Sequence, residues 1–166
     1  MTHTVPTELV LQDSEPGSYS FYSWQNIVIA CWSTHGTGPA MQRFARVRDA
    51  LDRRHPTGVS VVWLIADRAG LPTPEARASA QQLIERYRER RAALAVVIFG
   101  EGFWLSAMRA ANTGVQSQLR DKVPMQTFNR LEDVVAWLPA LHESHTGVRV
   151  ERDALLDVLS EASASL

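Results

Sequence analysis

The sequence predicts an α/β protein built on a mixed, mostly parallel five-stranded sheet with helices packed on it. Continuous apolar runs of strand length alternate with segments whose apolar residues recur at helical spacing, a pattern that favours right-handed crossovers between parallel strands. The predicted order of elements is β-β-α-β-α-β-α-β-α-α. The 166 residues suit one domain, and the composition, 45% apolar and 21% charged, excludes a disordered chain, a collagen-like repeat and a disulfide scaffold.

The opening of the domain is predicted to be a β-hairpin. Aromatic residues alternate with serines from Tyr19 to Trp24, and the run that ends at Trp32 is continuously apolar and partly β-branched. Gln25 and Asn26 lie between the two runs and are few enough for a tight turn. Residues 1–17 hold one short apolar run and end in a Pro-Gly turn, so they are predicted to form an N-terminal arm or an edge strand.

Two strands follow, each preceded by an amphipathic helix. Pro39 suits the first turn of a helix capped by Thr37 or Gly38, and Thr73 suits the cap of the second helix. In the first helix Arg48 is the basic exception on an otherwise apolar stripe. The predicted elements are a helix ending near His55, a strand at Val59–Ala66, a helix from Thr73 to Arg91 and a strand at Leu94–Phe99.

The C-terminal third is predicted to hold the last strand and three helices. Apolar residues recur at helical spacing over 103–119, and Val123–Phe128 is predicted to be the last strand. Asn129 suits the cap of the next helix, which Pro139 bends or ends. The predicted division is an α/β domain at 18–141 followed, at 142–166, by a linker and a terminal amphipathic helix.

Charge and cysteine content narrow the partners and the compartment. Seventeen basic and 18 acidic residues leave a net charge of −1, so the overall field gives no reason to expect a nucleic acid or an anionic membrane as partner. No run approaches the ~18 apolar residues of a membrane span, and the first residues lack a basic segment followed by an apolar one. Cys31 is the single cysteine, so no internal disulfide forms, and a cytoplasmic location is expected.

Several of these segments together resemble the STAS-like domains, a group named for sulfate transporters and anti-sigma-factor antagonists. The similar pieces are the opening hairpin, the strand that ends before Asp67, the helix after Thr73, and residues 127–138, which read Thr-Phe-Asn-Arg-Leu-Glu-Asp-Val-Val-Ala-Trp-Leu. The resemblance covers residues 18–138 and is strongest to the single-domain bacterial members. It implies a regulatory module that acts by docking a kinase or another regulatory protein.

In STAS-like domains the loop after the third strand often presents a phosphorylatable serine beside an aspartate. The corresponding loop here runs from Asp67 to Thr73 and lacks the usual Asp-Ser-Ser-Gly run. Thr73 is the single hydroxyl residue of that loop, so the resemblance leaves it as the phosphoacceptor candidate. The alternative is that Thr73 only caps the helix that begins at Pro74.

The loop after the hairpin is a candidate for binding a small ligand or an anion. Ligands of open α/β sheets gather beyond the carboxyl ends of strands, where helix N-termini offer unpaired N–H groups. The loop lacks the Gly-Lys-Ser/Thr of a phosphate loop and the third glycine of a dinucleotide fingerprint, so an ordinary strand-to-helix turn is the alternative. The candidate residues are Ser33, Thr34, His35, Gly36 and Gly38.

The sequence predicts no enzyme, no cofactor and no metal site. It has no Gly-x-Ser-x-Gly elbow, and Cys31 lies within an apolar strand where a thiolate is disfavoured. His142 and His145 have a spacing that suits a metal on a helix, but zinc needs three or four protein ligands. An acid–base site of His35 and Asp67 is the alternative, because both residues follow strands at one edge of the predicted sheet.

Interaction with a protein partner or with a second copy is the predicted function, and a homodimer is expected. The helix at 40–54 holds five Arg against two Asp, whereas residues 131–166 hold seven acidic residues against two Arg, and such opposite poles steer association. Aromatic residues beside a loop are typical anchors of interfaces. The interface candidates are Asp67, Arg68, Phe103, Trp104 and Arg109.

A small-molecule or lipid-binding domain is the alternative function. It requires an apolar cavity, which the sequence predicts to be bordered by Trp63, Phe99, Phe103 and Trp104. The interaction function instead uses the strand-exit loops 33–38 and 67–73 as the working edge of the domain.

Overall fold

A mixed six-stranded sheet lies between two layers of helices. The computed structural model describes residues 8–89, 91–102, 105–107, 109–110 and 124–166. The strands are β1 (Val10–Glu15), β2 (Tyr19–Trp24), β3 (Ile27–Trp32), β4 (Val59–Ile65), β5 (Arg91–Ile98) and β6 (Met125–Phe128). Four helices have both ends among the described residues: α1 (Gly38–Arg54), α2 (Pro74–Arg86), α3 (Leu131–Thr146) and α4 (Arg152–Ser163).

The strands lie in the sheet in the order in which they occur along the chain. β1, β2 and β3 pair antiparallel, whereas β3, β4, β5 and β6 pair parallel. The predicted α/β class is therefore confirmed. The predicted five-stranded, mostly parallel sheet is wrong in detail, because β1 is a sixth strand and two of the five strand pairings are antiparallel.

β1 joins the sheet with little help from apolar burial. Its register places Val10 beside Ser23 and Glu15 beside Tyr19, with a bulge between Leu11 and Asp13. Val10 and Leu11 are 40% and 54% exposed. Backbone hydrogen bonds to β2 hold this strand, and such bonds leave no periodic hydrophobic pattern in the sequence.

Alternate residues of the central strands pack on opposite faces of the sheet. The face covered by α1 and α2, called here the α1–α2 face, carries an aromatic cluster. In this cluster the ring centroid of Phe44 lies 5.6 Å from that of Phe21 and 5.7 Å from that of Trp63. The opposite face, called the α3–α4 face, is covered by α3 and α4 and includes Ile29 and Leu64. Strands covered on both faces read as continuous apolar runs, which is why β3, β4 and β5 are recognisable from the sequence.

α3 is longer than the sequence predicts. Its N-cap is Arg130 and not the predicted Asn129, and the helix continues through Pro139 without ending there. Pro139 removes one backbone donor from the helix, but the buried side chain of His142 keeps the following turn packed on the sheet. Residues 142–146, predicted to be a linker, are the last turns of α3, and Gly147 ends the helix with a φ of 74°.

The helix that the sequence predicts over 103–119 lies mostly outside the described residues. Residues 105–107 and 109–110 are helical, and Leu105 is buried on the α1–α2 face. Within the described ranges, no helix combines the length and the apolar character needed to cross a bilayer.

Candidate functional site

An apolar cavity of about 230 Å³ lies on the α1–α2 face, at the end of the sheet where β3, β4 and β5 finish. Strand residues form its floor, among them Trp32, Trp63 and Ile98, and Met41 of α1 lies at its side. α2 supplies the facing wall. Ligands of open α/β sheets bind beyond the carboxyl ends of parallel strands, so the cavity occupies the expected position for such a site.

Short side chains on α2 explain why this space is not filled. Ala76, Ala80 and Ile84 follow one another at four-residue spacing and all line the cavity, so they form one stripe of the helix. The facing floor carries the indole rings of Trp32 and Trp63, whose centroids lie 6.0 Å apart in an edge-to-face arrangement. Because an alanine methyl group reaches much less far than leucine or isoleucine, the first half of α2 leaves a gap above the rings.

Two residues of the cavity floor also carry unsatisfied donors. The indole N–H groups of Trp32 and Trp63 are buried and make no hydrogen bond with the described residues. Buried donors without an acceptor are rare in native proteins, and each costs about 1–3 kcal/mol.

Two strand-exit loops form the mouth of the cavity. Thr34, His35 and Gly36 line the mouth after β3, and residues 69–72 line it after β4. Gly70 turns the second loop with a φ of 72°, a conformation that favours glycine. Leu71, in the same loop, is 51% exposed. The mouth thus combines polar groups with an exposed apolar side chain.

The charges around the mouth of the cavity favour a negatively charged ligand. Arg77 and Gln81 of α2 and His35 of the first loop line the cavity and are exposed. Arg77 makes no ion pair with the described residues. The described residues that line the cavity include no Asp or Glu, and the first turn of α2, which contributes Ala76, adds partial positive charge.

Three of the five anion-loop candidates, Thr34, His35 and Gly36, reach this cavity, and two do not. Ser33 is buried, and its backbone N–H donates to the carbonyl oxygen of Ser18 at 2.9 Å. Gly38 begins α1 and is not part of the cavity wall. Beside it, the Thr37 hydroxyl caps α1 by accepting from the backbone N–H of Ala40 at 3.3 Å.

The phosphoacceptor candidate Thr73 is the N-cap of α2. Its hydroxyl oxygen accepts from the backbone N–H of Ala76 at 3.1 Å, and Pro74 is the first residue of the helix. Asp67 and Arg68 lie exposed in the turn after β4 and are not part of the cavity wall.

Arg109, an interface candidate, contacts the chain's own backbone. Its guanidinium Nη2 donates to the carbonyl oxygens of Ile98 at 3.0 Å and Gly100 at 2.8 Å. These bonds tie the helical residues 109–110 to the end of β5. The two aromatic interface candidates, Phe103 and Trp104, lie outside the described residues.

The predicted border of the cavity is correct for Trp63 and wrong for Phe99. Phe99 packs against the α3–α4 face, because successive residues at the end of β5 point to opposite sides of the sheet and Ile98 faces the cavity. Sequence reasoning missed Trp32 and the small residues of α2. The usable signal was Ala76 and Ala80 at four-residue spacing on the inward stripe of a helix that follows a strand containing tryptophan.

A buried polar network surrounds His142 on the α3–α4 face. Asn26 Oδ1 only accepts, so His142 Nε2–H donates to it at 2.8 Å, and His142 Nδ1 accepts from the Ser60 hydroxyl at 2.7 Å. Asn26 Nδ2 in turn donates to the carbonyl oxygen of Gly58 at 3.1 Å. Burial lowers the pKa of His142 to about 4, and the charges of nearby histidines act in the same direction.

Among the described residues, neither the pair of His142 and His145 nor Cys31 forms a second functional site. His145 is exposed, and its ring nitrogen bonds the carbonyl oxygen of Leu141 at 2.8 Å. Across the described ranges, no three His, Cys, Asp or Glu side chains come together as metal ligands. Burial raises the pKa of the Cys31 thiol to about 11, and its Sγ donates to the carbonyl oxygen of Ala162 at 3.3 Å, so the thiol stays protonated.

No protein-family model matches this chain, and no curated protein or solved structure matches it either.

Proposed function

We propose that this chain is a non-catalytic regulatory module of STAS-like type that binds the apolar body of a small molecule in the cavity on its α1–α2 face. The observation that carries the proposal is the cavity of about 230 Å³ between Trp32, Trp63 and α2, with two exposed loops at its mouth. Concave, mostly apolar pockets with a few convergent polar groups are the usual binding sites for small molecules.

The volume of the cavity indicates the size of the ligand. An engineered apolar cavity of ~150 Å³ binds benzene, whereas drug-sized ligands need ~300–1,000 Å³. A cavity of about 230 Å³ therefore suits a molecule with one or two rings or a short alkyl chain.

The STAS-like kinship rests on the elements that carry the resemblance. They are the β2–β3 hairpin, β4, α2 with its Thr73 cap, and β6 followed by α3. The position of the mouth supports a regulatory role, because Leu71 lines the cavity and is also exposed on the surface where a partner would dock. A ligand at the mouth then changes the loop surface that the partner contacts.

Filling the cavity tests this proposal. We expect Ala80→Leu to weaken binding of the neutral probe 2-naphthamide at least tenfold, because the longer side chain occupies the space of the ligand. The same change should raise the free energy of unfolding by about 0.5–2 kcal/mol, as cavity-filling substitutions do. Isothermal titration calorimetry measures the first effect and urea unfolding the second.

Ala78→Leu is the matched control, because Ala78 lies on the same helix, is exposed and is not part of the cavity wall. This variant should bind 2-naphthamide as the unchanged protein does. Equal affinity in all three proteins, or no binding to the unchanged protein, contradicts the proposal.

We also propose that the partner of this module is a second copy of the chain. The exposed residues Arg46, Arg53 and Arg54 lie on α1, whereas the seven acidic residues of 131–166 are all exposed on the other side of the sheet. Such opposite poles favour association that salt weakens. Size-exclusion chromatography with light scattering should give a dimer or a longer head-to-tail oligomer at low salt and a monomer near 1 M salt, and a monomer under both conditions contradicts the proposal.

A further inference from the structure

One positive side chain stands at the mouth of an otherwise apolar cavity. Arg77 lines the cavity from the second turn of α2 and has no carboxylate partner among the described residues. Some other exposed arginines do have such partners: Arg43 pairs with Asp13 at 3.4 Å and Arg86 with Asp49 at 3.0 Å. The guanidinium group of Arg77 is therefore available to a ligand.

The polar groups near Arg77 add hydrogen-bonding groups but no negative charge on the cavity wall. His35 and Gln81 line the same cavity, and neither is anionic. Glu75 lies in the first turn of α2, two residues before Arg77, and is not part of the cavity wall. Residues two apart on a helix do not share a face. The wall thus presents an apolar interior and one cationic group at its edge.

We propose that the ligand of this cavity is an amphiphilic monoanion, with a one- or two-ring or short alkyl body in the apolar interior and a carboxylate that Arg77 binds. The planar guanidinium fork matches the two oxygens of a carboxylate. A single arginine neutralises a single negative charge, which favours a carboxylate over a dianionic phosphate monoester. This inference rests on the proposed function, since it assigns the head group of the ligand that the cavity holds.

A pair of probes with the same ring and different charge tests the head group. 2-Naphthoate and 2-naphthamide share the naphthalene body, and only the first is an anion at neutral pH. We expect the unchanged protein to bind 2-naphthoate about tenfold more tightly than 2-naphthamide in calorimetric titrations, as suits a hydrogen bond to a charged group. In Arg77→Gln this ratio should fall to about one, while the affinity for 2-naphthamide stays within about twofold.

Arg152→Gln is the control for the loss of one positive charge. Arg152 is exposed at the start of α4 and is not part of the cavity wall, so the tenfold ratio should persist in this variant. A similar loss of the ratio in both variants would mean that net charge, and not Arg77, selects the anion, which overturns the inference.

The failures of the two proposals are distinguishable. Equal binding of both probes by the unchanged protein, or a ratio that survives Arg77→Gln, overturns the assignment of the carboxylate to Arg77 and leaves the apolar site standing. Binding of neither probe overturns the proposed function itself, and the head-group inference fails with it.

Discussion

His142 is fully buried at the point where α3 crosses the starts of β3 and β4. Its neutral ring donates to Asn26 and accepts from Ser60, so both ring nitrogens are satisfied without a charge. Protonation would place a second N–H in a site that has no carboxylate to balance it, which agrees with a pKa lowered to about 4. This side chain therefore links the stability of the fold to pH.

We expect acid to remove part of the stability that His142 supports. The folded-state pKa of about 4 lies below the unfolded value of ~6.5, so the unfolded chain binds the proton first as the pH falls. His142 should therefore lower the free energy of unfolding by about 2 kcal/mol between pH 7 and pH 5, with the loss complete about one pH unit below the folded-state pKa. Urea unfolding at both pH values, for the unchanged protein and for His142→Gln, measures this.

The comparison between the two proteins isolates the contribution of His142. The pKa of His55 is also lowered, mainly by burial, so it titrates in the same direction, but it is present in both proteins. The stability advantage of the unchanged protein over His142→Gln should shrink by about 2 kcal/mol at pH 5. An advantage that is the same at both pH values would show that the ring does not titrate as described.

At the scale of the elements, α2 has a well-capped N-terminus but small side chains on the face that packs against the sheet. Thr73 and Pro74 begin the helix as the sequence predicts, and the short side chains of Ala76 and Ala80 then leave the cavity open. The helix needs its cap, because the packing of its first half against the sheet contributes less than a filled core does.

We expect Thr73→Ala to lower the free energy of unfolding by about 1 kcal/mol, because the N–H of Ala76 loses its acceptor. Thr73→Ser keeps the hydroxyl and should stay close to the unchanged protein. Urea unfolding of the three proteins at one pH checks this. If serine destabilises the protein as much as alanine does, the methyl group of Thr73, and not its capping oxygen, is what matters.

At the scale of the whole molecule, the sheet separates two cores that different helices cover. α3 and α4 cover one face, and the last helix buries Leu155, Leu159 and Ala162. Ala162 accepts the hydrogen bond of Cys31, which lies on β3 in the middle of the sheet. The single thiol is thus a reporter of whether α4 stays docked.

We expect Cys31 to react with a chromogenic disulfide reagent only when the molecule opens. Leu159→Ala removes a fully buried side chain from α4 and should cost about 2–5 kcal/mol. The labelling rate should then rise roughly 30-fold or more, since each 1.4 kcal/mol is a factor of ten in the open population. Glu161→Ala, at an exposed position of α4, is the control and should label as the unchanged protein does.

Rapid labelling of the unchanged protein would contradict the burial of Cys31. Labelling that is equally slow in Leu159→Ala would mean that α4 does not control access to this face of the sheet.

Local patterns in the sequence determined the α/β class, the β2–β3 hairpin, the buried strands β3 to β5 and the caps at Thr37 and Thr73. Each of these depends on residues within a few positions of one another, so periodicity and capping chemistry are enough to predict them. Part of the candidate site was predictable for the same reason: strand-exit loops are a general feature of the topology, and His35 and Trp63 lie where the strands end.

Only the tertiary structure decided the features that depend on distant segments meeting. Arg48 is an exception on an apolar stripe in the sequence, but in the fold it is buried, and its guanidinium group lies over the ring of Tyr87, at the end of α2, at 4.9 Å. The cavity likewise exists because alanines of α2 face tryptophans of two strands. Its volume depends on both the helix and the strands, which are distant in sequence. Packing and buried charge are settled by neighbours in space, and one-dimensional periodicity does not encode which neighbours those are.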